Sequence, residues 1–476
     1  MTSDRPNASP PTPTAPDGGL TVTKLPAHGA VAVFVLPFLF LSLFFYALVH
    51  LQEAVLGQVI VEHQHIRVAA LAGILGVAGF VLSRFTRVRV AHPRLTLFAT
   101  VYACYLVVEF LVRALTGATR LGALIYGETY LYFFVFFILF LILLSVSGAG
   151  AQRVVVERGA FRLLHAFAVP TFFLGYAQFI LNDPLLNVST EGGYDVEVYL
   201  STKLHHVRAF SLFGSPFTYA HFITLIATLA LSALLIGGAR KRNHLVEWLF
   251  LIMATLAVFT TYTRNAYLEF LVALGGVLLI RRLVDRGWRD RIIITLSAAM
   301  GVGLYAGIIT FFFLARTEAG GLFDLSTFSI RLLEVGATIG KYVLGAGNAS
   351  SLLFGYGLLQ GPKFAELQGI RPLLFDNTYL DVFLFSGMVG LLLYLTFLAL
   401  VFSYVLQRYR QSRAHWWLAL AGLYFAYPAV AAINIHVGTL FLLTSIVVSY
   451  DILATRRLAA PNKVRADLRG GQDLHL

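Results

Sequence analysis

The residues best suited to chemistry form a short polar stretch, Phe375-Asp376-Asn377-Thr378-Tyr379-Leu380-Asp381, which ends a long polar segment and begins an apolar run. Asp376 at this boundary has two possible roles. It can cap the helix that follows by accepting hydrogen bonds from the first free backbone amides. A carboxylate partly removed from water can also accept a proton from a hydroxyl group. Asn377 and Asp381 are four residues apart, so a helix places them on one face, roughly 6 Å apart along its axis, and this pairing favours a functional site.

Arginines stand at two further boundaries between polar and apolar segments. Arg208 follows His206 and precedes a Gly-Ser-Pro turn, which predicts a helix starting at Pro216. Arg264 lies between two apolar runs with almost no connecting sequence, so it is predicted at a tight helical hairpin. Guanidinium groups fixed beside an apolar phase bind phosphate groups well. The alternatives are anchoring among lipid headgroups for either arginine and, for Arg264, an ion pair with Glu269.

A third arginine, Arg331, belongs to a predicted amphipathic helix at about 325 to 343. One side carries apolar residues at helical spacing and the other carries polar ones, which predicts a helix lying along the membrane surface. Arg331 there either contacts a substrate or is a solvated charge on a packed lid. Farther along, Gly355-Tyr356-Gly357 predicts a turn at which the backbone closely approaches a neighbouring group.

The composition indicates what must position these residues. Hydrophobic residues make up 58% of the chain and charged ones 13%, and the mean hydropathy is +0.77, which is typical of a polytopic membrane protein. Apolar runs near the roughly 20 residues of a membrane span predict an all-α protein with about twelve transmembrane helices. The predicted spans are 29–51, 66–83, 94–115, 121–147, 160–183, 217–237, 244–262, 265–280, 291–314, 378–405, 415–433 and 436–455.

The basic residues predict the orientation, because lysine and arginine near short loops are retained on the cytoplasmic side. Alternate loops and both chain ends hold 25 of the 36 basic residues, so both termini are predicted to be cytoplasmic. The net charge of +12 is therefore mostly a topology signal, and nothing in it indicates nucleic-acid binding. The predicted organisation is a disordered cytoplasmic tail at 1–28, a transmembrane catalytic domain at 29–458 and a cytoplasmic tail at 459–476. The outer face would carry long loops at 184–216 and 315–377.

Several familiar classes of site are not indicated by the sequence. No Gly-Lys-Ser/Thr phosphate loop and no Gly-x-Ser-x-Gly nucleophile motif occurs, which argues against nucleotide-driven pumps and hydrolases of those types. The histidines do not combine with acids or cysteines at spacing typical of zinc sites, so no metal and no cofactor is predicted.

Three stretches in this order resemble the O-antigen ligase and Wzy-type polymerase superfamily. They are Arg208 to Pro216, Thr263-Arg264, and Asp376-Asn377-x-Tyr379-Leu380 with Gly387 and Gly390. Arg331 and the later Gly355-Tyr356-Gly357 also resemble that family's large outer loop. The resemblance covers residues 200 to 400, and the first five predicted spans share only its hydropathy.

The resemblance implies a metal-independent glycosyltransferase with a GT-C-like membrane fold in the bacterial inner membrane. Its substrate would be a glycan linked to undecaprenyl pyrophosphate, and its partners membrane lipid and a chain-length regulator. Ligases that join O-antigen to lipid A core have a histidine where this chain has Asp376, so the aspartate favours a repeat-unit polymerase. Asn265 departs from the family, in which a glycine commonly follows the arginine.

The candidate residues fall into two groups. The predicted catalytic residues are Asp376 as base and Arg264 and Arg208 as pyrophosphate ligands. The predicted substrate-binding residues are Arg331, Asn377, Tyr379, Asp381 and His206. Two rival functions stay open, namely an O-antigen ligase that uses a separate acceptor and a polysaccharide or lipid transporter or flippase. Against the transporter, the polar residues cluster on one face rather than at paired broken helices at midplane.

Overall fold

The structure is a computed structural model and is mostly helical. It describes residues 93–115, 159–185, 200–201, 206–213, 216–236, 241–285, 291–301, 303, 349–355, 378–431 and 437–456, with scattered residues between 38 and 79. The helices are α1 (Pro93–Leu115), α2 (Gly159–Leu181), α3 (Pro216–Ile236), α4 (Lys241–Thr260), α5 (Arg264–Asp285), α6 (Arg291–Gly301), α7 (Ala349–Phe354), α8 (Thr378–Ser412), α9 (His415–Ala431) and α10 (Val437–Arg456). Between α2 and α3, the antiparallel strands β1 (Leu200–Ser201) and β2 (His206–Val207) pair with Leu200 opposite Val207.

Within the described residues, three helices are long and apolar enough to cross a membrane. These are Leu164–Leu181, Pro216–Ile236 and Ser386–Ser412, while the apolar segments His244–Thr260 and Arg291–Gly301 are shorter. The chain is therefore a helical membrane protein. Helices cover most of the third, the fifth to eighth and the tenth to twelfth predicted runs, and α6 covers the first half of the ninth. The rest of the ninth run and nearly all of the other three lie outside the described residues. The amphipathic helix predicted at 325–343 also lies outside them.

Helix α9 lies at the centre of the described bundle and packs against α3, α5, α8 and α10. Its residues are apolar on every side and nearly all of them are buried, as expected for a helix surrounded by others. Glycines allow α5 and α9 to approach closely, because an added Cβ at Gly422 would lie 2.5 Å from Val277 Cγ2. At Gly276 an added Cβ would lie 2.7 Å from the Phe425 ring. Close packing with α9 thus fixes the position of α5.

Helix α8 is kinked at Gly387, whose backbone is left-handed with φ of 68°. The Tyr105 hydroxyl of α1 donates a hydrogen bond of 2.6 Å to the Ser386 carbonyl, which lies at the kink. The short helix α7 packs against this kink, although the sequence analysis treated 315–377 as a loop. At the end of α7, Gly355 has a φ of 77°, a conformation that favours glycine, and the rest of the predicted turn, Tyr356 and Gly357, lies outside the described residues.

The carboxyl-terminal end of α8 extends beyond the predicted end at 405 to Ser412. The polar residues that follow 405 are mostly good helix formers, so the helix continues past the apolar run. The residue after the helix, Arg413, has a φ of 52°, which is the left-handed conformation common just after a helix. Arg408 then pairs with Asp451 of α10, and the same carboxylate accepts hydrogen bonds from two indole groups of α9. This contact joins α8, α9 and α10 at one end of the bundle.

Candidate functional site

The segment 206–213, which carries Arg208, is held by the buried side chain of Gln178 in α2. The Gln178 Oε1 atom accepts hydrogen bonds from the backbone amides of Phe210, at 3.1 Å, and Ser211, at 2.7 Å. Its Nε2 atom donates to the Pro184 carbonyl at 2.8 Å. One amide side chain therefore replaces the hydrogen bonds that this irregular segment cannot make with itself.

Two further contacts fix the segment on either side of Arg208. The Val207 amide donates to Asn182 Oδ1 at 2.8 Å, just after the end of α2. Ser211 has a left-handed φ of 53°, and its hydroxyl donates to the Thr171 carbonyl at 2.6 Å. The backbone around Arg208 is thus tied to α2 before and after the arginine, and α3 begins at Pro216, as predicted from the Gly-Ser-Pro turn.

Arg264 is the first residue of α5, directly after a tight turn at 261–263. Tyr262 in this turn has a left-handed φ of 44°. The Thr263 carbonyl accepts hydrogen bonds from the amides of Ala266, at 2.9 Å, and Tyr267, at 3.3 Å, so Thr263 is the N-cap residue of the helix. The helical hairpin predicted from the sequence is present.

The Arg208 segment and the Arg264 turn are in direct contact. The Ala209 amide donates a hydrogen bond of 3.0 Å to the Thr260 carbonyl at the end of α4. The His206 ring lies 5.6 Å from the Tyr262 ring, and both pack against Phe179, at 4.6 Å and 5.3 Å. We call this end of the bundle, formed by 206–213 and 261–264, the rim.

Deeper than the rim, α3 and α5 are joined by a buried pair of ionisable side chains. His221 Nδ1 lies 2.6 Å from Glu269 Oε1, and both residues are buried. Glu269 is predicted from the sequence only as a possible ion-pair partner of Arg264, and His221 is not among the predicted site residues. A histidine inside an apolar run was a signal, because ionisable groups at membrane depth are rare and usually paired or functional.

The pair lines a small cavity of about 20 Å³ between α3, α5, α9 and α10. The other lining residues are Leu423, Tyr427, Val430, Leu440 and Leu443. One wall therefore carries two ionisable groups, and the rest of the lining is apolar except for Tyr427. The volume is enough for one water molecule or one small polar group.

Tyr427 connects the cavity to the beginning of α8. Its hydroxyl hydrogen bonds with the hydroxyl of Tyr394, at 2.5 Å, and with the Thr378 side chain. The next residue, Tyr379, donates from its hydroxyl to the Pro428 carbonyl at 2.8 Å. The start of the Asp376 motif is outside the described residues, but Thr378 at its centre lies beside a residue of the cavity wall.

The structure thus brings some of the predicted site residues together. His206 and Arg208 lie at the rim with the first turn of α5, whereas Tyr379 is held against α9 near the cavity. Asp381 lies in the first turns of α8. The remaining candidates, Arg331, Asp376 and Asn377, lie outside the described residues.

The described side chains indicate what the arrangement can bind. A fixed basic segment at the end of the bundle suits an anionic group, and the cavity suits a hydroxyl group. Within the described part of the chain, no group of three or more His, Cys, Asp or Glu side chains is placed to hold a metal ion. Neither a protein-family model nor a curated protein matches this chain.

Proposed function

We propose that this protein is a membrane glycosyltransferase that polymerises polysaccharide repeat units. It would transfer a growing glycan from undecaprenyl pyrophosphate to a carrier-linked repeat unit at the outer face of the bacterial inner membrane. The observation that carries the proposal is the contact between the Arg208 segment and the turn that leads into Arg264. It supports a single anion site at the end of a membrane-embedded bundle.

The proposed topology has twelve transmembrane helices and places both termini in the cytoplasm. The rim then faces the outside, since the arginine-rich loops all lie at the other end of the helices. The rim includes residues 206–213 of the outer loop predicted at 184–216. A lipid-linked substrate could reach this site from the outer leaflet while its sugars stay in water.

The reaction is a displacement at the anomeric carbon of the growing chain. An acceptor hydroxyl oxygen forms the new C–O bond, the bond to the pyrophosphate breaks, and its electron pair leaves with the pyrophosphate. Arg208 and Arg264 would stabilise this increasing negative charge, because guanidinium groups near low dielectric interact strongly with phosphate oxygens. The proton of the acceptor hydroxyl would pass to Asp376, because a carboxylate that is partly removed from water accepts a proton more readily.

Two substitutions test the proposal directly. Arg264→Ala and Asp376→Ala should each abolish long-chain product, measured by electrophoresis of the glycan from cells that carry each variant at wild-type protein level. Arg282→Ala is the matched control for the arginine, because Arg282 is an exposed residue at the other end of α5. It should leave polymer length unchanged. Normal long-chain product from both test variants would overturn the assignment.

A more conservative change separates the two roles of Asp376. Asparagine caps a helix about as well as aspartate but cannot accept the proton. Asp376→Asn should therefore reduce the rate by at least about 100-fold if the carboxylate is the base. A rate near that of the wild type would identify Asp376 as a cap only.

The same reaction with purified components separates the polymerase from the ligase. A polymerase elongates carrier-linked repeat units alone, whereas a ligase needs a distinct acceptor such as lipid A core. Asp376 favours the polymerase, as argued from the sequence. Transfer only in the presence of lipid A core would favour the ligase.

A further inference from the structure

The buried His221–Glu269 pair has no role in the reaction described above, yet it lines a cavity near the rim. Glu269 lies five residues after Arg264 in α5, which corresponds to roughly 7.5 Å along the helix axis. The third polar lining residue, Tyr427, hydrogen bonds with Thr378 at the start of α8. The cavity is therefore lined by α5, which begins at Arg264, and lies near the start of α8.

The lining has the chemistry of a site for a sugar hydroxyl group. Glu269 engages His221 Nδ1 at 2.6 Å, so Nε2 is the ring nitrogen with which His221 would meet a group in the cavity. Imidazole, carboxylate and phenol can each exchange hydrogen bonds with a hydroxyl group. The apolar wall of Leu423, Leu440 and Leu443 suits the C–H groups beside it. The volume of about 20 Å³ suits one hydroxyl or hydroxymethyl group and excludes a whole sugar ring.

We propose that His221, oriented by Glu269, binds one hydroxyl group of the acceptor sugar, with Tyr427 closing the subsite. This inference rests on the proposed function, because it assigns a binding role within the same reaction. The contrasting explanation is that the pair only joins α3 to α5. That explanation predicts an effect on stability and none on the recognition of the acceptor.

The first experiment measures kcat and KM for the carrier-linked repeat unit with the purified protein. His221→Gln and Tyr427→Phe should each raise KM about tenfold, since each loses a hydrogen bond to substrate. Their kcat should change much less. Tyr424→Phe is the matched control, because its hydroxyl bonds to Thr444 at 2.9 Å between α9 and α10 without lining the cavity. Its KM should stay at the wild-type value.

The second experiment uses repeat units from which single acceptor hydroxyl groups have been removed. The wild type should discriminate about tenfold against one of these deoxy analogues, and His221→Gln should lose that discrimination while keeping the others. Discrimination that is unchanged in both His221→Gln and Tyr427→Phe would overturn the subsite, whatever the stability of the variants. Failure of the proposed function would look different, because the wild type itself would then not elongate the repeat unit.

If His221→Gln does not fold, Tyr427→Phe and Glu269→Gln provide the same test. Tyr427→Phe removes only a hydroxyl group, and Glu269→Gln keeps a hydrogen-bonding partner for Nδ1. Glu269→Gln should raise KM less than His221→Gln does, because Glu269 orients the ring and the ring binds the hydroxyl. A KM equal to that of the wild type in both of these variants would likewise overturn the proposal.

Discussion

At the residue scale, buried polar side chains fix irregular backbone at the rim. Gln178 is fully buried, and its single amide group makes hydrogen bonds with two backbone amides and two backbone carbonyls. Buried backbone groups need such partners, because an unpaired one costs as much as a lost hydrogen bond. The backbone position of Arg208 therefore depends on Gln178 of α2, and Gln178 contacts no substrate in the proposed reaction.

Gln178→Leu is expected to destabilise the protein. The variant leaves the amides of Phe210 and Ser211 without their acceptor, which should lower the free energy of unfolding by roughly 2 to 4 kcal/mol. Thermal unfolding in detergent measures the effect. Gln411→Leu is the matched control, because Gln411 is exposed at the end of α8, and it should change stability by less than about 0.5 kcal/mol. Equal unfolding temperatures for the two variants would contradict the role given to Gln178.

Much of the site's local geometry could be predicted from the sequence, but its side-chain partners could not. The helix start at Pro216 and the Arg264 hairpin depend on neighbouring residues, and the structure has both. Gly355 has the positive φ expected of a glycine turn, whose other residues lie outside the described part of the chain. Contacts between side chains that are far apart in the sequence could not be predicted in this way. His221 and Glu269 are separated by 48 positions, and no periodicity in the chain predicts that α3 and α5 bring them together.

At the element scale, the kink in α8 explains why one glycine of the motif is needed there. A Cβ at Gly387 would lie 2.3 Å from the Leu353 carbonyl oxygen of α7, and the φ of 68° is unfavourable for other residues. Both α7 and the kink therefore depend on this position. The resemblance to the O-antigen ligase and Wzy-type polymerase superfamily includes Gly387. The physical reason for a glycine at this position is the close packing of α7 against it.

Gly387→Ala should destabilise the contact between α7 and α8. The left-handed backbone alone costs the variant about 1 to 3 kcal/mol, and the clash with the Leu353 carbonyl adds to that. Gly275→Ala is the control, because an added Cβ there meets nothing within 4 Å and the residue lies inside α5. It should be neutral or stabilising by up to about 1 kcal/mol. A Gly387→Ala variant as stable as Gly275→Ala, in thermal unfolding, would contradict this account of the kink.

At the scale of the whole molecule, the two ends of the bundle differ in how they use charge. At the end opposite the rim, ionisable groups of different helices lie close together, as Asp451 does with Arg408 and as Glu247 does with His165 at 3.8 Å. At the rim, Arg208 lies in an irregular segment held by neutral side chains. The two ends of the bundle therefore differ in the kind of side chain that holds them together.

The orientation of the two ends can be tested by cysteine labelling, because the chain has one cysteine, Cys104. In a Cys104→Ser background, Asp183→Cys places an exposed thiol beside the rim, and Gln411→Cys places one at the opposite end. The distribution of basic residues predicts that the rim faces outward. A membrane-impermeant maleimide should therefore label Asp183→Cys in intact spheroplasts and label Gln411→Cys only after the membrane is permeabilised. The reverse pattern would place the rim in the cytoplasm, where no glycan on the outer leaflet could reach Arg208, and the proposed function would fail with it.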